Sequence, residues 1–237
     1  MRQYTIHPLV VGARDIDRGA MTYLSGYGRR IWLPVYVFYI AGGDRKILVD
    51  TGLDEFMVPP EVGQKYGCEI LEFEPALASI GLRPDDIDII IHTHLHDDHC
   101  ANDQKCSRAK VYVQQLELDA MARPHPIDYR YFPELLDGVD VVPLSGDAEI
   151  ADGIRVVLTP GHTPGGQSVI INTAAGKVVI TGFCCIGENF PESGGVICPG
   201  THWSATEAYD SAVRVRETAD ILIALHDLSV GAKRSIP

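Results

Sequence analysis

Four histidines and two aspartates that follow a short apolar run stand out in this sequence. They form the stretch His92-Thr93-His94-Leu95-His96-Asp97-Asp98-His99. Side chains two positions apart on an extended segment point the same way, so His94 and His96 can bind one ion. Asp98 and His99 can turn toward a second ion. Histidine with carboxylate suits zinc, and also iron or manganese. Without a cation, so many ionisable groups beside a buried strand would repel or desolvate one another, and the pattern therefore indicates a metal site.

The elements that would position these groups are strands. The run at 87–91 is short and apolar and ends at the histidine cluster. Two further histidines have similar places: His162 lies in the proline- and glycine-rich turn 159–166 after a predicted strand, and His226 ends the apolar run 221–225. Either histidine alone would be unremarkable. Loops at strand ends hold ligands on a rigid support, so we expect all three segments to meet.

The order of elements predicts an α+β fold in which two sheets pack together and helices cover their outer faces. No linker-like stretch divides the chain, so we expect a single domain over residues 1–237. The segment 123–138 is rich in proline and aromatic residues and is typical of a loop over a pocket. We predict strands at 33–40, 46–50, 87–91, 110–113, 155–158, 167–171, 178–181 and 221–225, and helices at 75–82, 115–122 and 205–219.

Composition excludes several classes of protein. The 237 residues carry a formal net charge of -12, which disfavours a nucleic-acid partner, and the basic pairs Arg29-Arg30 and Lys233-Arg234 are typical of solvated surface. There is no apolar run long enough for a membrane span and no secretory signal at the start, so we expect a cytoplasmic protein. The six cysteines include no Cys-x-x-Cys pair and are expected to be free thiols.

The motif His94-x-His96-x-Asp98-His99 resembles the signature of the metallo-β-lactamase fold superfamily. The resemblance extends along nearly the whole chain and is greatest to the N-acyl homoserine lactonase-like branch. The further segments that carry it are Leu48-Val49-Asp50-Thr51-Gly52, Gly161-His162-Thr163-Pro164-Gly165, Gln167-Ser168 and His226-Asp227.

This resemblance implies an αββα four-layer sandwich, usually with two metal ions and a bridging hydroxide that attacks a carbonyl. One ion would be held by His94, His96 and His162, and the other by Asp98, His99 and His226. Asp50 would hydrogen-bond a ligand histidine and fix its tautomer. Zinc is the expected metal, as one or two ions, with iron or manganese as alternatives.

The sequence departs from the family at the aspartate that bridges the two ions. Aligning Glu188-Asn189-Phe190 with the lactonase branch places Phe183 where that aspartate should be, and no Asp or Glu lies between Asp152 and Glu188. Three outcomes follow: two ions joined by water alone, a single ion in the three-histidine site, or ligation by Cys184 as thiolate. The alternative to ligation is that Cys184 and Cys185 are buried thiols that bind no metal.

The leading hypothesis is a metal-dependent hydrolase that opens a small cyclic ester or amide. Metal-bound hydroxide would attack, and Asp98 would shuttle a proton. The lactonase branch also places a tyrosine shortly after the aspartate. Because no tyrosine occurs between Tyr131 and Tyr209, His202 is the candidate substitute at the pocket rim. The expected pocket lining is aromatic and consists of Trp32, Tyr129, Tyr131, Phe132, Phe183 and Trp203.

Two other classes stay open at this point. One is a mononuclear iron oxidoreductase of the same fold, and the other is a non-catalytic protein that binds metal or ligand. The expected partner is a small-molecule substrate, with no nucleic acid and no membrane, and a homodimer is possible.

Overall fold

Two β-sheets form the centre of the molecule in the computed structural model, which describes residues 2–54 and 58–237. The first sheet has the strand order β1-β2-β3-β4-β5-β6, and the second the order β11-β10-β9-β8-β7. The strands of the first sheet are β1 (Thr5–Asp17), β2 (Arg30–Ala41), β3 (Ile47–Val49), β4 (Ile89–Ile91), β5 (Lys110–Gln114) and β6 (Asp140–Leu144). Those of the second are β7 (Ala148–Ala151), β8 (Ile154–Leu158), β9 (Gln167–Thr173), β10 (Gly176–Ile180) and β11 (Ile221–Ile223).

Five α-helices are described, and the longest is the fifth. They are α1 (Pro60–Tyr66), α2 (Phe73–Ser79), α3 (Asp97–Cys100), α4 (Gln115–Ala122) and α5 (Ala205–Thr218). Ser204 caps the start of α5 by accepting a hydrogen bond from the backbone N–H of Glu207. None of the helices in the described part of the chain is long and apolar enough to span a membrane.

The core has three layers of contact. Between the sheets, side chains such as Ile6, Phe38 and Ile171 interdigitate. On the outer face of the first sheet, α2 packs through Phe73 and Leu77. On the outer face of the second, α5 packs through residues including Ala212 and Val215. This arrangement confirms the predicted αββα sandwich, because each sheet buries one face against the other sheet and one against helix.

Parallel pairing in both sheets brings strand ends to one edge of the sandwich. Strand β3 pairs in parallel with β4, with Val49 opposite Ile91, so the chain leaves both strands at the same level. In the second sheet, β10 pairs in parallel with β11, with Ile180 opposite Ile223. The loops that follow these four strands therefore emerge close together, as a site built from strand ends requires.

The sequence prediction missed the long first strand, β1. Its pairing with β2 shifts register between Val10 and Gly12, and Pro8 and Gly12 interrupt the alternating pattern from which a strand is recognised. It also missed helix α1 and the two edge strands β6 and β7. The single-domain organisation over residues 1–237 stays a prediction.

Candidate metal centre

The six side chains that the resemblance implies as ligands lie together at this edge, and they come from the three segments that follow β4, β8 and β11. They form two groups of three, and within each group all ligand atoms lie within 4.8 Å of one another. Each is buried, and Asp98 is the most exposed, at 6%. The first group is His94, His96 and His162, and the second is Asp98, His99 and His226.

Unpaired ring nitrogens mark where a cation would bind. Within the described part of the chain, four buried histidine nitrogens in these groups have no hydrogen-bond partner: Nε2 of His94, Nδ1 of His96, Nε2 of His99 and Nε2 of His162. Leaving a buried polar atom unpaired costs about 1–3 kcal/mol, so four in one place require an explanation. A divalent ion bound by each group would satisfy them, and imidazole and carboxylate are suitable donors for it.

The other nitrogen of each ring is held by a fixed partner. Nδ1 of His99 donates to Asp50 at 2.8 Å, and Nδ1 of His162 donates to the carbonyl oxygen of Thr201 at 2.7 Å. Nδ1 of His226 donates to the carbonyl oxygen of Pro34 at 2.8 Å. These contacts fix both the tautomer and the ring orientation, so the remaining nitrogen presents its lone pair to the site.

Asp50, which follows β3, accepts a hydrogen bond from the ligand His99, as the family resemblance implied, and so joins its own segment to the histidine motif. It has a positive φ of 60°, a conformation that aspartate tolerates better than most residues, and this turns its carboxylate back toward the site. Besides His99, it accepts hydrogen bonds from the backbone N–H and the hydroxyl of Thr93, at 2.8 and 2.7 Å. The neighbouring His94 is thereby held in place through Thr93, whose hydroxyl lies 3.1 Å from His94 Nδ1.

Burial and charge set the protonation of the site. Burial lowers the pKa of His94 and of His162 well below its ordinary value, and it lowers the pKa of His226 to about 4. These rings are therefore neutral at pH 7 and can donate a lone pair. Burial alone would raise the pKa of Asp98, but the adjacent His99 and Arg14 outweigh it and hold that pKa well below the usual range.

The structure corrects the register at the bridging position. Phe183 does not face the site: it is fully buried between the second sheet and α5, where its ring packs on Phe190 at 6.4 Å. A large apolar ring gains more by burial in this core than at a polar site. The next residue, Cys184, points the other way, and its Sγ lies 3.5 Å from Nε2 of His226. The expectation that Phe183 lines the pocket is therefore wrong.

A glycine at 161 lets the His162 loop approach α5. Gly161 has a φ of 122°, and a Cβ there would lie 2.1 Å from the backbone nitrogen of Ala208. Its carbonyl oxygen accepts hydrogen bonds from the backbone N–H groups of Trp203 and Ser204. No other residue fits this conformation and this space, so the glycine fixes where His162 lies.

Comparison with known proteins identifies the family. The family model described as the metallo-beta-lactamase superfamily matches residues 30–217. The chain belongs to this superfamily. Among curated relatives, the N-acyl homoserine lactonase of Bacillus cereus is 31% identical over 180 residues, which is 70% of each chain. A probable metallo-hydrolase of Methanocaldococcus jannaschii is 33% identical over 94 residues, 40% of this chain and 37% of that one.

Solved structures share the fold. An N-acyl homoserine lactone hydrolase with the product N-hexanoyl-L-homoserine at its catalytic metal centre superposes with a TM-score of 0.78 at 24% identity, covering 96% of this chain and 94% of that one. A dizinc quorum-quenching lactonase gives a TM-score of 0.70 at 15% identity, covering 96% and 89%. The family match and the lactonase relative at 31% identity together indicate that this metallo-beta-lactamase superfamily member is a metal-dependent hydrolase.

Four charged residues around the centre were not predicted from the sequence. Asp128 accepts a hydrogen bond from Nε2 of His96 at 3.1 Å, and Arg130 donates to Asp128 through Nε at 2.8 Å and Nη2 at 2.9 Å. Arg14 forms an ion pair with Asp97 at 2.5 Å. The fourth is the buried Glu117. No spacing rule joins these residues to the histidine motif, since each comes from a distant segment.

Glu117 joins two ligand loops. Its Oε1 accepts hydrogen bonds from the backbone N–H of Leu95 at 3.1 Å and from the hydroxyl of Tyr131 at 2.7 Å. Its Oε2 accepts from the backbone N–H of Gly165 at 3.0 Å. Leu95 lies between two ligand histidines, and Gly165 follows His162, so this carboxylate fixes the distance between the two loops.

The loop over residues 123–138 covers part of the site, as predicted. It contributes to a cavity of about 330 Å³ whose lining includes Asp128, Pro164 and Trp203. Tyr131, which also lines it, packs on the ring of His96 with centroids 4.8 Å apart. The other expected lining residues differ: Tyr129 is 82% exposed, whereas Trp32 packs against Ala13 and Val62, and Phe132 borders a separate small cavity with Arg14 and Asp97.

His202 lies one residue from the carbonyl group that holds His162. Its Nδ1 donates to the carbonyl oxygen of Pro199 at 2.9 Å, and its ring contacts Tyr23 edge-on at 5.4 Å. These two contacts fix the orientation of the ring. Its predicted role in catalysis stays a prediction.

Proposed function

We propose that this protein is a lactonase that uses two metal ions, with zinc as the expected metal. The observation that carries the proposal is the pair of three-residue groups with four unpaired histidine nitrogens at one edge of the sandwich. The N-acyl homoserine lactonase relative, at 31% identity over 70% of the chain, supports a cyclic ester as the substrate class. Two complete groups favour two ions over the mononuclear alternative.

Hydrolysis of a lactone adds water across the acyl C–O bond. The water oxygen bonds to the carbonyl carbon, the bond to the ring oxygen breaks, and that oxygen takes a proton to give a hydroxy acid. Bound divalent ions supply a water of lowered pKa and polarise the carbonyl oxygen. The chain must hold the ions, orient the ester and move one proton.

Asp98 is the side chain that we propose receives the proton from water and passes it to the ring oxygen. It is the carboxylate among the six groups and the most exposed of them, at 6%. His202 is the second candidate for this proton transfer. Substitution of each by Asn or Gln, with the metal content measured, separates the two.

Arg130 is a cation that can orient the ester. Its ion pair with Asp128 uses Nε and Nη2, so Nη1 is not part of that pair. Its charge acts on both His94 and His162, whose pKa values it lowers in addition to burial. We propose that it faces the carbonyl oxygen or the developing carboxylate. In the lactonase branch a tyrosine helps to bind the substrate, and this sequence has no tyrosine at the corresponding place.

The cavity lined by Asp128 and Tyr131, which both contact His96, suits a modest substituent on the lactone. Its volume of about 330 Å³ and the prolines, Tyr131 and Trp203 in its lining favour a short apolar group, although Arg123, His125 and Asp128 also line it. The substrate class proposed is therefore a small lactone with an apolar side chain. The cytoplasmic location and the possible homodimer stay predictions.

The test is turnover of a panel of γ- and δ-lactones by protein loaded with zinc, manganese or iron. We expect at least one lactone to be opened, with the hydroxy acid identified by mass spectrometry. The matched control is His94→Ala, which removes a ligand, and we expect it to be inactive. If no metal restores hydrolysis of any lactone, the proposed function is wrong and a non-catalytic binder becomes the better interpretation.

A further inference from the structure

Cys184 and Cys185 are consecutive but have opposite surroundings. Cys185 is fully buried, and its Sγ lies 3.0 Å from the hydroxyl of Thr181. Cys184 is 7% exposed, and its Sγ lies 3.5 Å from Nε2 of His226. Only Cys184 therefore presents its sulfur to the metal centre.

The sulfur of Cys184 lies between the two groups of ligands. His94, His99 and Cys184 form a third set in which all ligand atoms lie within 4.8 Å of one another. His94 belongs to the first group and His99 to the second, and their rings are close, with centroids 4.1 Å apart. A donor atom within reach of one ligand from each group is in position to touch both ions.

We propose that Cys184 is a seventh metal ligand, a thiolate that bridges the two ions. The inference rests on the proposed metal site, but not on the lactone substrate. On binding, the Sγ–H proton leaves to the buffer and the sulfur bonds to the metal, so ligation releases one proton per site. Phe183 then has a purely structural role, packing the core behind the bridge.

A thiolate bridge changes which metals the site prefers. Thiolates favour zinc, cobalt and iron over manganese, magnesium and calcium, which prefer oxygen ligands. A centre of five histidines, one carboxylate and one thiolate therefore selects against manganese. This preference distinguishes Cys184 from a buried thiol that lies near the site without binding.

The direct test is the absorption spectrum of the cobalt-substituted protein. Thiolate bound to Co²⁺ gives an intense charge-transfer band in the near ultraviolet, whereas imidazole and carboxylate ligands do not. We expect this band in the wild-type protein, its loss in Cys184→Ser, and its retention in the matched control Cys185→Ser. We also expect Cys184→Ser to bind the second equivalent of cobalt at least about tenfold more weakly, since even loss of a residue behind a ligand has an effect of this size.

A further variant covers failure of the serine protein to fold. Cys184→Asp replaces the sulfur with a carboxylate, and we expect two bound ions without the band. A wild-type protein that binds cobalt without the band, or that binds no cobalt, overturns the inference, as does a band that survives in Cys184→Ser. Hydrolysis of a lactone without the band would reject the thiolate bridge alone, and a band without hydrolysis would reject the lactonase alone.

Discussion

Asp128 accepts a hydrogen bond from Nε2 of His96 at 3.1 Å, on the side of the ring opposite the unpaired Nδ1. A carboxylate in this place orients a ligand imidazole and raises its basicity. The contact also attaches the loop over residues 123–138 to the first metal group. Order in the loop and occupancy of that group are therefore coupled.

We expect Asp128→Asn to lower metal affinity by about 10- to 100-fold, because an amide accepts this hydrogen bond more weakly than a carboxylate. The measurement is titration of the metal-free protein in competition with a chromophoric chelator. Asp137→Asn, an exposed change in the same loop, is the control. Equal affinities for the two variants would show that Asp128 does not act through His96.

Substitution of Arg130 tests the proposed orientation of the ester. We expect Arg130→Gln to lower kcat/KM by about tenfold or more, since a lost charged donor at a developing charge has an effect at least this large. Arg130→Lys keeps the charge but not the paired geometry and should recover part of the loss. Metal content is measured alongside, and a fall in activity that follows metal loss alone would contradict a direct role.

Glu117 offers a test of stability separate from catalysis. In the wild-type protein both carboxylate oxygens of Glu117 accept hydrogen bonds. In Glu117→Gln one of these oxygens becomes an N–H₂ group, which places a donor against at least one N–H or O–H donor. We expect the free energy of unfolding of the metal-free protein to fall by about 1–3 kcal/mol, measured by urea denaturation. Tyr131→Phe removes one of the three donors and should cost less. A larger loss of stability in Tyr131→Phe than in Glu117→Gln would show that the Glu117 carboxylate is not the main stabilising group.

The buried His92 predicts a pH dependence of stability. Burial opposes its charge, but the carboxylates of Asp103 and Asp50 outweigh burial and raise its pKa to about 10, from 6.5 in the unfolded chain. Because the folded pKa is the higher one, the contribution is fully present below pH 6.5 and is lost as pH rises toward 10. Stability of the metal-free protein should therefore fall between pH 6.5 and about pH 8, before cysteines ionise in the unfolded chain.

Asp103→Asn is the comparison for this effect. It removes the carboxylate that lies 2.7 Å from Nε2 of His92, so the pKa of His92 should drop and the slope with pH should flatten. Urea denaturation at several pH values measures the slope, and NMR of the imidazole nitrogens reports the protonation directly. Parallel curves for wild type and variant would contradict a charged His92.

Much of the fold could be predicted because local patterns specify it, and the clustering of the six candidate ligands could be predicted because the family resemblance joins their three segments. The strand before His92 and the turn that holds His162 each carry their signal in adjacent residues. The side-chain direction at Phe183 and Cys184 could not be read, because a turn after β10 breaks the alternation that assigns faces to a strand. Asp128 and Glu117 act through contacts made only when distant segments fold together, so no spacing in the sequence indicates them.

The two metal groups draw ligands from both sheets: His94, His96, Asp98 and His99 follow a strand of the first, while His162 and His226 follow strands of the second. Bound ions would consequently cross-link the sandwich along one edge, much as a disulfide would. By mass action, metal at about 100 times its dissociation constant adds about 2.7 kcal/mol per site to folding. The melting temperature of the protein should therefore rise with free metal concentration. On chelation, amide hydrogen exchange should accelerate first at this edge rather than at the start of β1, where the backbone N–H groups of Tyr4 and Ile6 donate to Asn172 and Ile236.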